Sequence, residues 1–254
     1  MAKRAFAICA HPDDIEFEMA GTLLRLKDLG YEIHYMTVAD GALGGNGLSH
    51  SELASRRGKE ARAAAELAGA VYHPPITHDL EVFYNTEQLT KLTRIVRTVD
   101  PEIVLTHGLY DYMEDHINAG RLAVSATFCR GMGNFRGAED LAPVMTDVAV
   151  YHSMPLSLKD QMNRPIIPDV FVDVTDKIPL KRAMLNCHET QKKWLDESQG
   201  LDAYLDDMCR LNKVMGDLSG FCTYAEGFIR HNPIGFCPED FDPLSQVARP
   251  AVKK

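Results

Sequence analysis

Two short runs, far apart in the chain, hold residues able to do chemistry: His11-Pro12-Asp13-Asp14 and Asp115-His116. Two imidazoles and one carboxylate, with a fourth position left open, form the donor set of a catalytic zinc. Such an ion lowers the pKa of bound water to about 7, which makes hydroxide available at neutral pH. A carboxylate beside that water, not itself a ligand, can act as general base. Asp13 and Asp14 offer both functions, because neighbouring side chains at a helix start diverge. More residues of the same kind lie between and around the two runs: Asp40 before Gly41, His78-Asp79, His107, Tyr110, Asp111 and Tyr112. The structural alternative is that Asp13 or Asp14 merely caps a helix, as aspartate often does. It explains one aspartate, but not a His-Pro-Asp-Asp run matched by an Asp-His run elsewhere.

These side chains need a scaffold that brings distant loops together. Ala5 to Ala10 is a short apolar run and reads as a buried strand; a helical pattern follows from about Ile15 to Leu29, ended by Gly30. Glu32 to Ala39 is the next strand, and Asp40 to Leu48 a glycine-rich loop. Ser49 and Glu52 form a capping box that opens a long alanine-rich helix to about Ala68. Ala70 to His73 is a third strand, Thr86 to Val99 a helix stopped by Asp100-Pro101, and Glu102 to Thr106 a fourth strand. A helix from about Ile117 to Arg130 follows, then strands at Val148 to Tyr151 and Val170 to Val174. Pro179 to Met215 reads as mostly helical, and the chain from Leu218 onward as irregular.

Strand and helix alternate four times before residue 130, the order of parallel strands joined by right-handed crossovers. The expected fold is α/β: a Rossmann-like open, mostly parallel sheet with helices on both faces and a C-terminal helical elaboration. One domain over residues 1–254 is the simplest division. In such a sheet ligands bind beyond the carboxyl ends of the strands, and every polar run named above follows a strand.

Bulk composition narrows the function classes. A formal charge of −9, spread along the chain, argues against a nucleic-acid partner, which needs a basic face. Apolar runs are too short to span a membrane, and the segment from Met1 to Arg4 does not resemble a secretory signal. The six cysteines show neither CxxC pairs nor a disulfide framework, which suits a reduced, cytoplasmic protein.

Ala10-His11-Pro12-Asp13-Asp14-Ile15-Glu16 resembles the Ala-His-Pro-Asp-Asp-Glu signature of the PIG-L/LmbE family of zinc-dependent de-N-acetylases, with the last acidic residue displaced by one. Further matches come in the family's order. Asp40-Gly41, Arg57-Gly58-Lys59-Glu60 and Asp115-His116 resemble its middle motifs. Lys181 with His188-Glu189-Thr190-Gln191, and then Tyr224 to Phe228, resemble its late ones. The resemblance implies a hydrolase that removes an acetyl group from an amide nitrogen, in most relatives that of an N-acetylglucosamine conjugate. It implies zinc held by His11, Asp14 and His116, with Asp13 as general base. Arg57 and Asp40, and with them Asp79, would line the substrate pocket, with Asp115, Tyr112 and His188 close by. The family often assembles into trimers or hexamers, so a homo-oligomer is an expectation, and the lack of a membrane-spanning run favours a small soluble amino-sugar substrate with no membrane partner.

Alternatives stay open for several of these residues. Arg57 could simply pair with Glu60, Asp40 could cap a turn, and His188 could be a packed helix residue. Glu226 reads as a solvated charge. One departure matters more. The family commonly reads His-x-Asp-His at the second motif, whereas this chain reads Met113-Glu114-Asp115-His116. A thioether donates no hydrogen bond, and losing one oxyanion donor can reduce a rate by about 100- to 1000-fold. Tyr110, Tyr112 and His188 are the candidate replacements. Otherwise the chain is a related amidase acting on a non-sugar amide, or a metal-binding member that has lost catalysis. A dinucleotide site is the weakest alternative, because no G-x-G-x-x-G follows the first strand.

Overall fold

A computed structural model describes residues 3–45, 47–199 and 204–252. In chain order, β1 (Arg4–Cys9), α1 (Asp14–Glu18), α2 (Ala20–Asp28), β2 (Glu32–Thr37), α3 (His50–Ala68) and β3 (Val71–His73) form the first half of the α/β unit. The unit continues through α4 (Thr86–Val99), β4 (Ile103–Thr106), α5 (Glu114–Cys129) and β5 (Ala149–Ser153). The remainder comprises β6 (Val170–Asp173), α6 (Ile178–Leu185), α7 (Glu189–Gln199), α8 (Tyr204–Ser219), β7 (Ala225–Arg230) and β8 (Ala248–Arg249). The eight strands among the described residues form one sheet in the order β3-β2-β1-β4-β5-β7-β6-β8. Strands β3, β2, β1, β4 and β5 pair in parallel, and β7, β6 and β8 add to them antiparallel.

Alternation along β1 explains the layers. Ala5, Ala7 and Cys9 pack with Ile15, Leu23, the alanine face of α3, and Met184 and Leu185 of α6. Phe6, Ile8 and Ala10 point the other way and pack with Leu92 and Val96 of α4 and with Leu122 and Ala126 of α5. Successive side chains of a strand face opposite sides of the sheet, so one apolar run feeds two cores. No helix among the described residues is long and apolar enough to cross a membrane.

Two expectations are corrected. The helix expected from Ile15 to Leu29 is two helices, broken at Met19, where φ is −149° and ψ 0°. The backbone groups freed by the break find buried partners. Gly21 N and Thr22 N donate to the Glu226 carboxylate at 2.9 and 2.6 Å, while Phe17 O accepts from Lys181 Nζ at 3.0 Å. Lys181 and Glu226 in turn pair with each other at 2.5 Å, both fully buried. Glu226 is therefore not a solvated charge but the clamp on a broken helix. A Cβ on Gly21 would meet Val174 Cγ1 at 2.5 Å, so the clamp also requires a residue without a side chain there.

The second correction concerns the stretch after Leu218, expected to be irregular. It supplies β7, inserted between β5 and β6 inside the sheet. Glycine and proline flank this strand and a glutamate lies within it, which hides its pattern from a sequence reading. By contrast, the Ser49–Glu52 capping box forms as expected: Ser49 Oγ accepts from Glu52 N, and Glu52 accepts from Ser49 N at 3.0 Å.

Candidate metal centre

The sheet order reverses at β1. The crossover from β1 leads to β2 on one side, and the chain returns to place β4 on the other. Loops leaving the carboxyl ends of β1 and β4 therefore diverge over a crevice, the place where open α/β sheets bind ligands. His11 to Asp14 come from the first loop. His107 to His116 come from the second and from the start of α5.

Within that crevice each of two imidazoles is tied on one side to a carboxylate. His11 Nε2 lies 3.0 Å from Asp115 Oδ2, which leaves its Nδ1 3.6 Å from Asp14 Oδ2. His116 Nδ1 lies 3.2 Å from Asp111 Oδ2, which leaves its Nε2 3.5 Å from Asp14 Oδ1. Metal-binding imidazoles characteristically hold one nitrogen against a carboxylate and offer the other to the ion. Asp14 itself is fixed by the His11 backbone N–H at 2.7 Å. Asp115 also accepts from Leu80 N at 2.7 Å, so it links the loops after β1, β3 and β4.

Beneath this group lies a second set of donors. His107 stacks on His116 with centroids 4.1 Å apart and planes 6° apart. Its Nε2 is 3.0 Å from Asp14 Oδ2, and its Nδ1 is 3.0 Å from Glu18 Oε2. Asp14, Glu18, His107 and His116 place one donor atom each within 4.8 Å of one another. His107 and Glu18 are sealed from solvent, whereas the His11 side chain keeps 14% of its surface exposed. An ion that must meet a substrate needs an open face, and the His11 side of Asp14 provides it. Glu18 was not singled out in the sequence. Its signal is the four-residue spacing from Asp14, which puts both carboxylates on one helix face.

Asp13 stands at the N-cap of α1 but makes no capping bond from its side chain. Its backbone has φ 106°, a left-handed value that non-glycine residues seldom adopt. The strain turns the carboxylate away from the helix, and Oδ2 accepts from Tyr204 Oη at 2.6 Å. Burial, and next the charge of Asp14, push the Asp13 carboxyl up to about 7. Asp14 is pulled the other way: burial opposes its charge, but His116 and His107 hold it well below the ordinary carboxylate range. Two adjacent carboxyls are thus split, one stably charged and one able to exchange a proton near neutrality. Tyr204 offers no sequence signal, since nothing in its surroundings distinguishes it from a core tyrosine.

The remaining candidates fall around this centre. Tyr112 packs edge-on against the His116 ring at 5.5 Å, and burial followed by the charge of Asp14 raises its phenol. Met113 occupies the N-cap position of α5. His188 is not a helix residue; it lies between α6 and α7, buried, with neither ring nitrogen hydrogen-bonded among the described residues. Its Nε2 is 3.4 Å from Glu16 Oε2, and although burial opposes protonation, the charges of Glu16 and Asp13 outweigh it and raise the imidazole. Arg57 does not spend its guanidinium on Glu60. It donates to the backbone carbonyls of Gly41 and Gly44, while Glu60 accepts from Thr190 N and Oγ1. Arg57 therefore holds the loop after β2. Asp40 caps Ala42 N through Oδ1 and binds His78 through Oδ2, and Asp79 accepts from Gly41 N and Leu43 N. Tyr110 is largely exposed.

A family described as GlcNAc-PI de-N-acetylase (PIG-L) matches residues 6–127, a span from β1 into α5 that carries both the His11–Asp14 and the Asp115–His116 runs. This match and the relatives found by sequence and by structure support the PIG-L/LmbE family of de-N-acetylases for this chain. Among the relatives, a diacetylchitobiose deacetylase of Thermococcus kodakarensis is 29% identical over 199 residues, covering 74% of this chain and 70% of that protein. A 4-oxalmesaconate hydratase of Pseudomonas putida is 26% identical over 198 residues, covering 75% of this chain and 74% of its own. The crystal structure of N,N'-diacetylchitobiose deacetylase from Pyrococcus horikoshii superposes with a TM-score of 0.75 at 26% identity. That match covers 94% of this chain and 88% of the other.

Proposed function

We propose that this protein is a zinc-dependent N-deacetylase of the cytoplasm, acting on a small N-acetylglucosamine conjugate. His11, Asp14 and His116 hold the ion, and Asp13 is the general base. The observation that carries the reading is the pair of imidazoles, each tied by one nitrogen to a carboxylate and turned by the other toward Asp14. The two deacetylase relatives support the substrate class, and the six free cysteines suit a reducing compartment.

When bound, zinc would polarise the substrate carbonyl and favour ionisation of water. The chain's own residues do the rest. Asp13 takes a proton from the attacking water as its oxygen bonds to the amide carbon. Tyr204, hydrogen-bonded to Asp13 Oδ2, holds the carboxyl so that its other oxygen is free for this transfer. Tyr112 donates to the carbonyl oxygen as that oxygen gains charge, the function the Met113 thioether cannot perform. As the C–N bond breaks, Asp13 returns the proton to the nitrogen, which leaves acetate and a free amine. A raised pKa suits both halves of this cycle, because the group must accept and then give up one proton.

A second reading rests on the hydratase relative together with Met113. The same base could add water across a carbon–carbon double bond of an unsaturated acid, a reaction with no leaving amine. Acetate release from N,N'-diacetylchitobiose and N-acetylglucosamine conjugates, assayed on metal-stripped and zinc-restored protein, separates the two. Zinc-dependent acetate release is expected. No acetate from any acetamido sugar, with loss of the diene absorbance of an unsaturated dicarboxylic acid, would replace deacetylation by hydration.

A further inference from the structure

A second group of metal-type donors lies where the loops after β2 and β3 meet, and nothing in the proposed reaction uses it. Asp40 Oδ2 is 2.5 Å from His78 Nδ1 and 3.8 Å from His50 Nε2, and the two imidazole rings meet edge to face at 4.7 Å. All three residues place a donor atom within 4.8 Å of the others. We propose that Asp40, His50 and His78 form a second site for a divalent transition metal, tying the first residue of α3 to the loop after β3.

Two features argue for a built site. First, the donor set is two imidazoles and a carboxylate, which favours zinc, nickel or copper over magnesium or calcium. Around a tetrahedral zinc with bonds of about 2.0–2.2 Å, neighbouring donors lie about 3.3 Å apart. The observed 2.5 and 3.8 Å straddle that spacing, and small rotations of two exposed imidazoles bring them to it.

Second, the base of the site is rigid. Asp40 Oδ1 is committed to Ala42 N, so Oδ2 is the oxygen presented to the histidines. Asp79 stitches the two loops together through Gly41 N and Leu43 N, and Ala39 bridges to Thr77 in parallel. The Ser49–Glu52 capping box fixes the first turn of α3, which carries His50.

His50 stands in the first turn of α3, at the positive end of the helix. The same positive end opposes a bound cation, so this is the weaker of the two sites.

Calorimetric titration of the metal-stripped full chain with Zn²⁺ tests the proposal. Wild type should bind two equivalents in two resolved classes. His50→Ala and His78→Ala, each at an exposed position, should each remove the weaker class and leave the tighter one, with unchanged circular dichroism. His116→Ala should do the reverse, so a failure of the catalytic assignment and a failure of this one give different patterns. A single equivalent in wild type, or a second equivalent that survives in both His50→Ala and His78→Ala, would overturn it.

Discussion

Replacing Lys181 by methionine removes the cation from a fully buried pair and leaves the Glu226 carboxylate behind. Breaking such a pair from one side destabilises a protein by about 3–5 kcal/mol, because the remaining charge stays desolvated. Glu226 keeps two donors, Gly21 N at 2.9 Å and Thr22 N at 2.6 Å, at the N-terminal end of α2. The helix end is worth up to about 2 kcal/mol to an anion when partly buried, which puts the loss near the lower limit, about 3 kcal/mol. With a urea slope of about 3 kcal/mol per molar, at the upper end for small proteins, the midpoint should fall by about 1 M. Glu226→Gln alone should also destabilise. The double variant Lys181→Met/Glu226→Gln should lose less than the sum of the two, because no unpaired charge then remains. Equilibrium unfolding in urea, followed by circular dichroism, supplies all three values. A loss under about 1 kcal/mol for Lys181→Met, or strict additivity in the double variant, would refute the clamp across the α1–α2 break.

Other expectations follow from the same geometry. Asp13→Asn should keep its metal and its fold, since asparagine tolerates the left-handed backbone, yet lose about 10²–10⁴ in kcat; zinc content and turnover measured on one sample check both halves. Tyr112→Phe should lower kcat by about 10²–10³ with little change in KM, the signature of a donor acting only on developing charge; steady-state kinetics decide it. Burial depresses the His152 imidazole from 6.5 to about 4. The unfolded chain therefore binds the extra proton first, so stability is full above about pH 6.5, falls as pH drops toward 4, and falls no further below that. The loss amounts to about 3 kcal/mol at the acid limit, and His152→Asn, which can still donate to His107 O, should flatten urea midpoints measured between pH 7 and 4.

Much of this architecture was legible in the sequence because it depends on local rules. The first five strands announce themselves as short apolar runs, and the Ser49–Glu52 box marks the start of α3. The polar runs after β1 and β4 could be placed at one sheet edge from strand order alone. What escaped depends on contacts between distant residues. The break at Met19 exists because Lys181 and Glu226 reach it from α6 and β7, and no spacing within Ile15 to Leu29 foretells it. The same holds for β7, whose glutamate is buried only because a lysine meets it. Around the metal centre, the His-Pro-Asp-Asp run was readable as chemistry. Glu18 left only its four-residue spacing from Asp14 as a signal, and Tyr204 none, since their partners His107 and Asp13 are joined to them only by the fold.

The most direct test is where a metal sits. Crystals of the zinc-loaded protein, measured on both sides of the zinc absorption edge, should show a strong anomalous peak within about 2.0–2.2 Å of His11 Nδ1, His116 Nε2 and an Asp14 oxygen. A principal peak bound instead by His107 and Glu18, with His11 turned away, would contradict the account.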